Sequence, residues 1–91
     1  MSSQKKYTAK LVGVLSENKK DESFSLIGQT DTLTVACEDN GKYTAQFGEL
    51  TIPIKWTRKE REIFTVKHAH DNKTLTFQIQ QDLNYNLHQS R

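Results

Sequence analysis

The sequence predicts an all-β domain, either a small antiparallel β-sandwich or a partly open β-barrel of about seven strands, most of them joined as hairpins. Three observations predict it. Apolar residues recur with period two along most of the chain, and no window of useful length repeats them at helical spacing. The alternating segments are rich in Val, Ile, aromatic residues and Thr, which alone occurs ten times. Turn-forming residues separate these segments at short intervals, as at Asp39-Asn40-Gly41 and Asp71-Asn72.

Strands are expected at about residues 5–15, 23–28, 32–38, 42–48, 50–57, 62–69 and 74–81. The charged run Asn18-Lys19-Lys20-Asp21-Glu22 reads as a loop between the first two. In the next hairpin, Leu33, Val35 and Cys37 share one face, and Tyr43, Ala45 and Phe47 share one face of the following strand. A two-residue Asn40-Gly41 turn would set Cys37 against Thr44. A three-residue loop, Asp39-Asn40-Gly41, instead pairs Cys37 with Tyr43, Val35 with Ala45 and Leu33 with Phe47, with Gly41 left-handed. That register keeps like against like and is the expected one.

Parity then changes, from Tyr43, Ala45 and Phe47 to Ile52, Ile54 and Trp56, so Gly48-Glu49 must be a turn or a bulge. Pro53 has no N–H to give a ladder, which predicts an edge strand, or one unpaired on that side, blunted by Pro53 and Lys55. At Asp71-Asn72 a two-residue turn would pair His68 with Leu75, Val66 with Phe77 and Phe64 with Ile79, leaving Thr76, Gln78 and Gln80 outward.

Composition limits the function classes. The 91 residues suit one domain, expected to span 1–91 with flexible ends at 1–4 and 83–91. The tail retains period-two apolar residues at Leu83, Tyr85 and Leu87, the pattern of an added strand or a docked tail. With Cys37 the single cysteine there can be no intramolecular disulfide, and together with the lack of a signal-peptide pattern this points to a cytoplasmic protein. The longest apolar run, Leu11 to Leu15, is too short to span a bilayer, so no membrane insertion is expected. Thirteen Lys and Arg against eleven Asp and Glu is too mild a bias to demand a nucleic-acid partner.

The segment 55–62 is the strongest site candidate. Lys55, Arg58, Lys59 and Arg61 surround Trp56, the sole tryptophan, and Lys67 follows on the next strand. Small barrels that bind single-stranded nucleic acid combine phosphate-binding cations with an aromatic ring on which a base stacks. Against this, Trp56 shares the parity of Ile52 and Ile54, which predicts a core position, and Glu60 and Glu62 interrupt the basic run. Thr76, Gln78 and Gln80 form a polar, uncharged strand face suited to a protein contact. His68 and His70 share a face and are the weak candidates for a metal, but with no spaced third or fourth ligand no metal is expected. Cys37 lies on the inward parity, where it acts as a small apolar residue, and Glu38 and Asp39 beside it have the wrong charge for activating a nucleophile.

No catalytic motif and no cofactor motif is present, so the expected function is a non-enzymatic binding module with a protein partner or a second copy of itself. A nucleic-acid-binding barrel is the alternative, and a small-ligand carrier or enzyme built on a barrel-mouth pocket is the third reading.

Overall fold

The computed structural model describes residues 3–83. Its six strands are β1 (Ser3–Ser16), β2 (Thr30–Cys37), β3 (Tyr43–Phe47), β4 (Leu50–Glu60), β5 (Ile63–His68) and β6 (Lys73–Asp82). They run as an antiparallel meander in chain order, and β6 returns to pair with β1, giving a closed barrel. The all-β expectation holds, and of the two architectures it left open the structure is the barrel, closed rather than partly open. β1 makes closure possible: its first part, Ser3 to Lys10, pairs with β2, while Tyr7 to Ser16 pair with β6. Register shifts after Thr8 and after Leu11 bend it from one neighbour to the other. Ser3 and Gln4 already belong to this strand, and of the period-two tail only Leu83 lies within the described residues.

Inward parity fills the barrel. Tyr7, Ala9 and Leu11 of β1 meet Leu33, Ala45, Phe47, Ile52, Ile54, Phe64, Val66, Leu75 and Phe77 in one buried cluster. Phe47 packs on Phe77 with ring centroids 5.0 Å apart, and Tyr7 on Phe64 at 5.6 Å. Among the described residues no helix is long and apolar enough to cross a membrane.

The β2–β3 register is the expected one, Cys37 with Tyr43, Val35 with Ala45 and Leu33 with Phe47. Gly41 has φ +85° and its N–H donates to the Glu38 carbonyl at 2.9 Å, as a three-residue loop requires. Gly48-Glu49 is a two-residue turn between Phe47 and Leu50, with Gly48 at φ +59°. A Cβ there would sit 2.6 Å from the Asp31 carboxylate, so position 48 needs glycine for space as well as for φ.

Three expectations change. Residues 23–28 are not a strand. Glu22–Leu26 form a 3₁₀ turn, η1, because the Asp21 side chain accepts the Ser23 N–H at 2.8 Å and starts a helical turn. Asp21 and Ser23 then receive the Lys73 ammonium at the start of β6, pinning η1 across the lower end of the barrel.

The β5–β6 register is displaced by two residues, to Val66 with Leu75 and Phe64 with Phe77. The apolar faces still meet, but Asp71-Asn72 is not a two-residue turn. The His68 imidazole explains this: its Nδ1 accepts the N–H groups of His70 and Asp71, each at 3.0 Å, and folds a longer loop around itself.

Of the two alternatives for Pro53 the edge strand fails, because β4 pairs on both sides, and the one unpaired at the proline's N–H side stands. Thr44 and Pro53 are a non-hydrogen-bonded pair in the β3–β4 ladder, counted out from the two-residue turn. The missing N–H therefore points toward β5, beyond its last residue, where the Pro53 carbonyl accepts the Ala69 N–H at 3.0 Å.

Candidate functional site

The β4–β5 hairpin carries the predicted basic and aromatic residues and divides them between two faces. From Lys55 to Ile63 every residue is exposed, so this hairpin stands clear of the core. Its register pairs Glu60 with Ile63, Lys59 with Phe64, Arg58 with Thr65, Thr57 with Val66 and Trp56 with Lys67, then shifts, so that Ile54 pairs with His68. Lys55 is the extra residue of this bulge. It reverses the parity of everything beyond it. Thr57 and Lys59 now lie opposite the buried Val66 and Phe64 and face inward, while Trp56, Arg58 and Glu60 face outward.

Trp56 is therefore not a core residue: 45% of it is exposed, and its inward parity with Ile52 and Ile54 ends at the bulge. A signal for this exists in the sequence. The closed turn at Arg61-Glu62 opposes residues 55, 57 and 59 to the inward set of β5, whereas the apolar residues earlier in β4 are Ile52 and Ile54. One residue must be absorbed between the two sets.

The outward rows extend from β4 across to β1. Trp56 lies beside Lys67, Thr74 and Leu15; Arg58 beside Thr65, Thr76 and Gly13; Glu60 beside Ile63, Gln78 and Lys10. Two separate sequence candidates, the basic-aromatic segment and the polar strand face, are thus one continuous surface four strands, or about 14 Å, wide. Gln80 falls outside it, at the β1–β6 register shift. Exposed Trp56, Leu15 and Ile63 give the surface apolar area.

The cations are not equally available. Arg58 is 3.3 Å from the Glu60 carboxylate, in a well-exposed pair that contributes little to stability. Lys67 donates to the Asp71 carbonyl at 2.8 Å. Lys59 is turned to the inner face, Lys55 sits in the bulge, and Arg61 occupies the hairpin tip. Arg61 is the only described residue other than glycine with a positive φ, +58°. A side chain in that region costs about 1–2 kcal/mol. Arg61→Gly is therefore expected to raise stability by about 0.5–1 kcal/mol, allowing for the entropy glycine loses on folding, read as a higher urea midpoint.

The two histidines are separated in role. His68 is buried, while His70 is exposed, and their ring centroids are 6.2 Å apart. With its Nδ1 lone pair engaged by two backbone amides, His68 has only Nε2 left, 3.7 Å from Asp71. Among the described residues no group of three His, Cys, Asp or Glu side chains is placed to hold a metal.

Burial lowers the His68 pKa below its ordinary value of 6.5. The charges of Lys73, His70 and Lys67 act in the same direction, and Asp71 opposes them. The unfolded chain thus takes up this proton first. Stability from neutral His68 is complete above pH 6.5 and is lost as pH falls from there through the lower folded value. Urea midpoints at pH 7.5 and pH 5 should show a drop in the parent protein that is smaller in His68→Gln.

No protein-family model, curated protein or solved structure matches this chain.

Proposed function

We propose that the protein is a non-enzymatic binding module that uses the outer face of β4, β5 and β6 to contact a protein partner or a second copy of itself. The observation that carries this reading is the exposed Trp56, set at the corner of a continuous sheet face made of Arg58, Thr65, Thr76 and Gln78. Tryptophan and arginine are the residues on which protein interfaces most often concentrate their binding energy. The hydroxyl and amide groups around them offer hydrogen bonds at a small desolvation cost. Two cations of the face are already engaged, Arg58 by Glu60 and Lys67 by the Asp71 carbonyl, which supports a protein contact over a polyanion.

A protein with a single cysteine suits a reducing, cytoplasmic setting. Sedimentation equilibrium of the protein alone, and capture from a nuclease-treated lysate, test the reading together. A defined oligomer or a stoichiometric protein partner, lost in Trp56→Ala and in Thr76→Arg, is the expected result. Identical behaviour of all three proteins would overturn it.

One observation favours nucleic acid as the second reading: Trp56 is solvent-accessible and directly opposite Lys67, an arrangement that can stack a base beside a phosphate contact. Trp56 fluorescence titrated with single-stranded oligonucleotides separates the two. Quenching that weakens steeply with added salt supports nucleic acid, and an unchanged spectrum rejects it.

A further inference from the structure

The geometry points to a separate ligand seat inside the barrel mouth, for a small monoanion with an apolar body: an acyl or aromatic carboxylate whose head lies between Lys5 and Lys59. This is the inner side of the hairpin, and it does not depend on what the outer face binds.

The mouth is the end where β1 and β3 begin and β2, β4 and β6 finish. A cavity of about 300 Å³ opens there, a volume at the lower end of small-molecule sites, which barrels often place at their mouths. At about 30 Å³ for each water-sized group it holds on the order of ten non-hydrogen atoms. Its floor is apolar. Phe64 and Tyr7 are almost wholly buried and pack on each other at 5.6 Å, with half-buried Val35 beside them. Fully buried Leu11 and Leu33 of the core close the barrel further down, which limits the length of ligand that can enter.

The rim is cationic. Lys5 is on β1 and Lys59 on β4, strands three places apart around a six-strand barrel and so facing each other across it. Both line the cavity, and among the described residues no Asp or Glu does. Asp82, whose charge raises the Tyr7 pKa alongside the larger effect of burial, is not among the lining residues. By contrast, the larger groove beside η1 at the opposite end is lined by Glu22, Asp31 and Glu49. The mouth is thus the end whose charge suits an anion.

Backbone donors add to this. Counted from the Arg61-Glu62 turn, the N–H groups of Trp56, Arg58 and Glu60 point to β5, and those of Thr57 and Lys59 point away from it. On that side β3 begins at Tyr43, opposite Ile54, and no described strand pairs with β4 beyond it. On the strand that carries Lys59, the Thr57 and Lys59 amides therefore lack a ladder partner among the described residues.

The test titrates the full chain with octanoate, 2-naphthoate, neutral octan-1-ol and inorganic phosphate, followed by amide chemical shifts. Cys37 lines the same cavity and supplies a second readout, its rate of alkylation by iodoacetamide. The carboxylates should shift the amides of Thr57, Lys59 and Phe64 and slow alkylation of Cys37, with octan-1-ol at least ten-fold weaker. Lys5→Met and Lys59→Met should each weaken octanoate five-fold or more and leave octan-1-ol unchanged, while Trp56→Ala, on the outer face, leaves octanoate binding intact.

The seat is rejected if millimolar carboxylate moves no mouth amide, if octan-1-ol binds as well as octanoate, or if both lysine variants bind normally. Phosphate binding as tightly as octanoate would also reject it, since the apolar floor would then contribute nothing. Loss of partner capture in Trp56→Ala with octanoate binding retained would bear on the outer face alone.

Discussion

Replacing Asp21 with alanine is expected to lower the stability of the fold by about 3–5 kcal/mol, the usual cost of stranding one member of a buried ion pair. Lys73 opens β6 and is only 6% exposed. Its ammonium lies 3.1 and 3.2 Å from the two carboxylate oxygens of Asp21 and 3.2 Å from the Ser23 hydroxyl, itself fully buried. Without Asp21 the charge keeps one neutral partner and little access to water. The same substitution removes the cap that starts η1, so the cover over the lower end of the barrel is loosened at once. Lys73→Met, which removes the charge and keeps the apolar stem, should cost much less. Urea denaturation at pH 7 ranks the variants, and a loss below about 1 kcal/mol for Asp21→Ala would show the pair to be unimportant.

Acid gives a second reading of the same pair. Burial pushes the Asp21 pKa up, but the Ser23 amide and hydroxyl and the Lys73 ammonium push it down further, and the net value lies below the ordinary 3.8. The folded carboxylate resists protonation more than the unfolded one does. Its contribution is present above pH 3.8 and disappears as pH falls through the depressed folded value. In that range the stability of Asp21→Ala should fall less steeply than that of the parent protein.

What the sequence revealed depended on whether alternation alone could decide it. The β2–β3 register was legible because a shift of one residue would have set Cys37 against Thr44, and because Gly41 supplies the conformation that the right loop needs. The β5–β6 register was not. A displacement by two preserves parity, so the apolar faces of Phe64, Val66, Leu75 and Phe77 match equally well in either arrangement. What selects between them is a pair of amides donating to His68, a side-chain-to-backbone interaction that parity cannot detect.

Residues 23–28 misled for a related reason, since Asp21 offers the backbone a hydrogen bond that competes with strand formation. The site was legible as a list and not as an arrangement. The sequence singles out Lys55, Trp56, Arg58, Lys59, Arg61 and Lys67 as candidates, but a bulge with no glycine to announce it sets Lys59 toward the mouth and Trp56 on the outer face. Closure of the barrel also removes most of the argument from sheet edges, leaving only the β4 segment beyond Ile54 without a neighbour on its β3 side among the described residues. The interaction reading rests on the composition of one face.

Trp56→Ala is expected to weaken partner binding at least 30-fold, about 2 kcal/mol, the threshold for an interface hot spot, while changing folding stability by no more than about 0.5 kcal/mol. The two parts are joined by one geometric fact. Beyond the bulge the indole has left the core side of β4, so truncating it opens no cavity among Ile52, Ile54 and Val66. Phe77 is the internal comparison: it is 2% exposed and packed on Phe47, and its replacement by alanine should cost about 3–5 kcal/mol. The emission of Trp56 should accordingly be solvent-like in the free protein and shift to the blue when the face is covered. Parallel urea and binding titrations of the two variants decide the matter. If Trp56→Ala loses as much stability as Phe77→Ala, the indole is a structural residue and the outer-face reading loses its anchor. If it loses neither stability nor binding, the contact lies elsewhere. A binding loss without a stability loss leaves recognition as the role that accounts for holding the largest side chain of the protein in solvent.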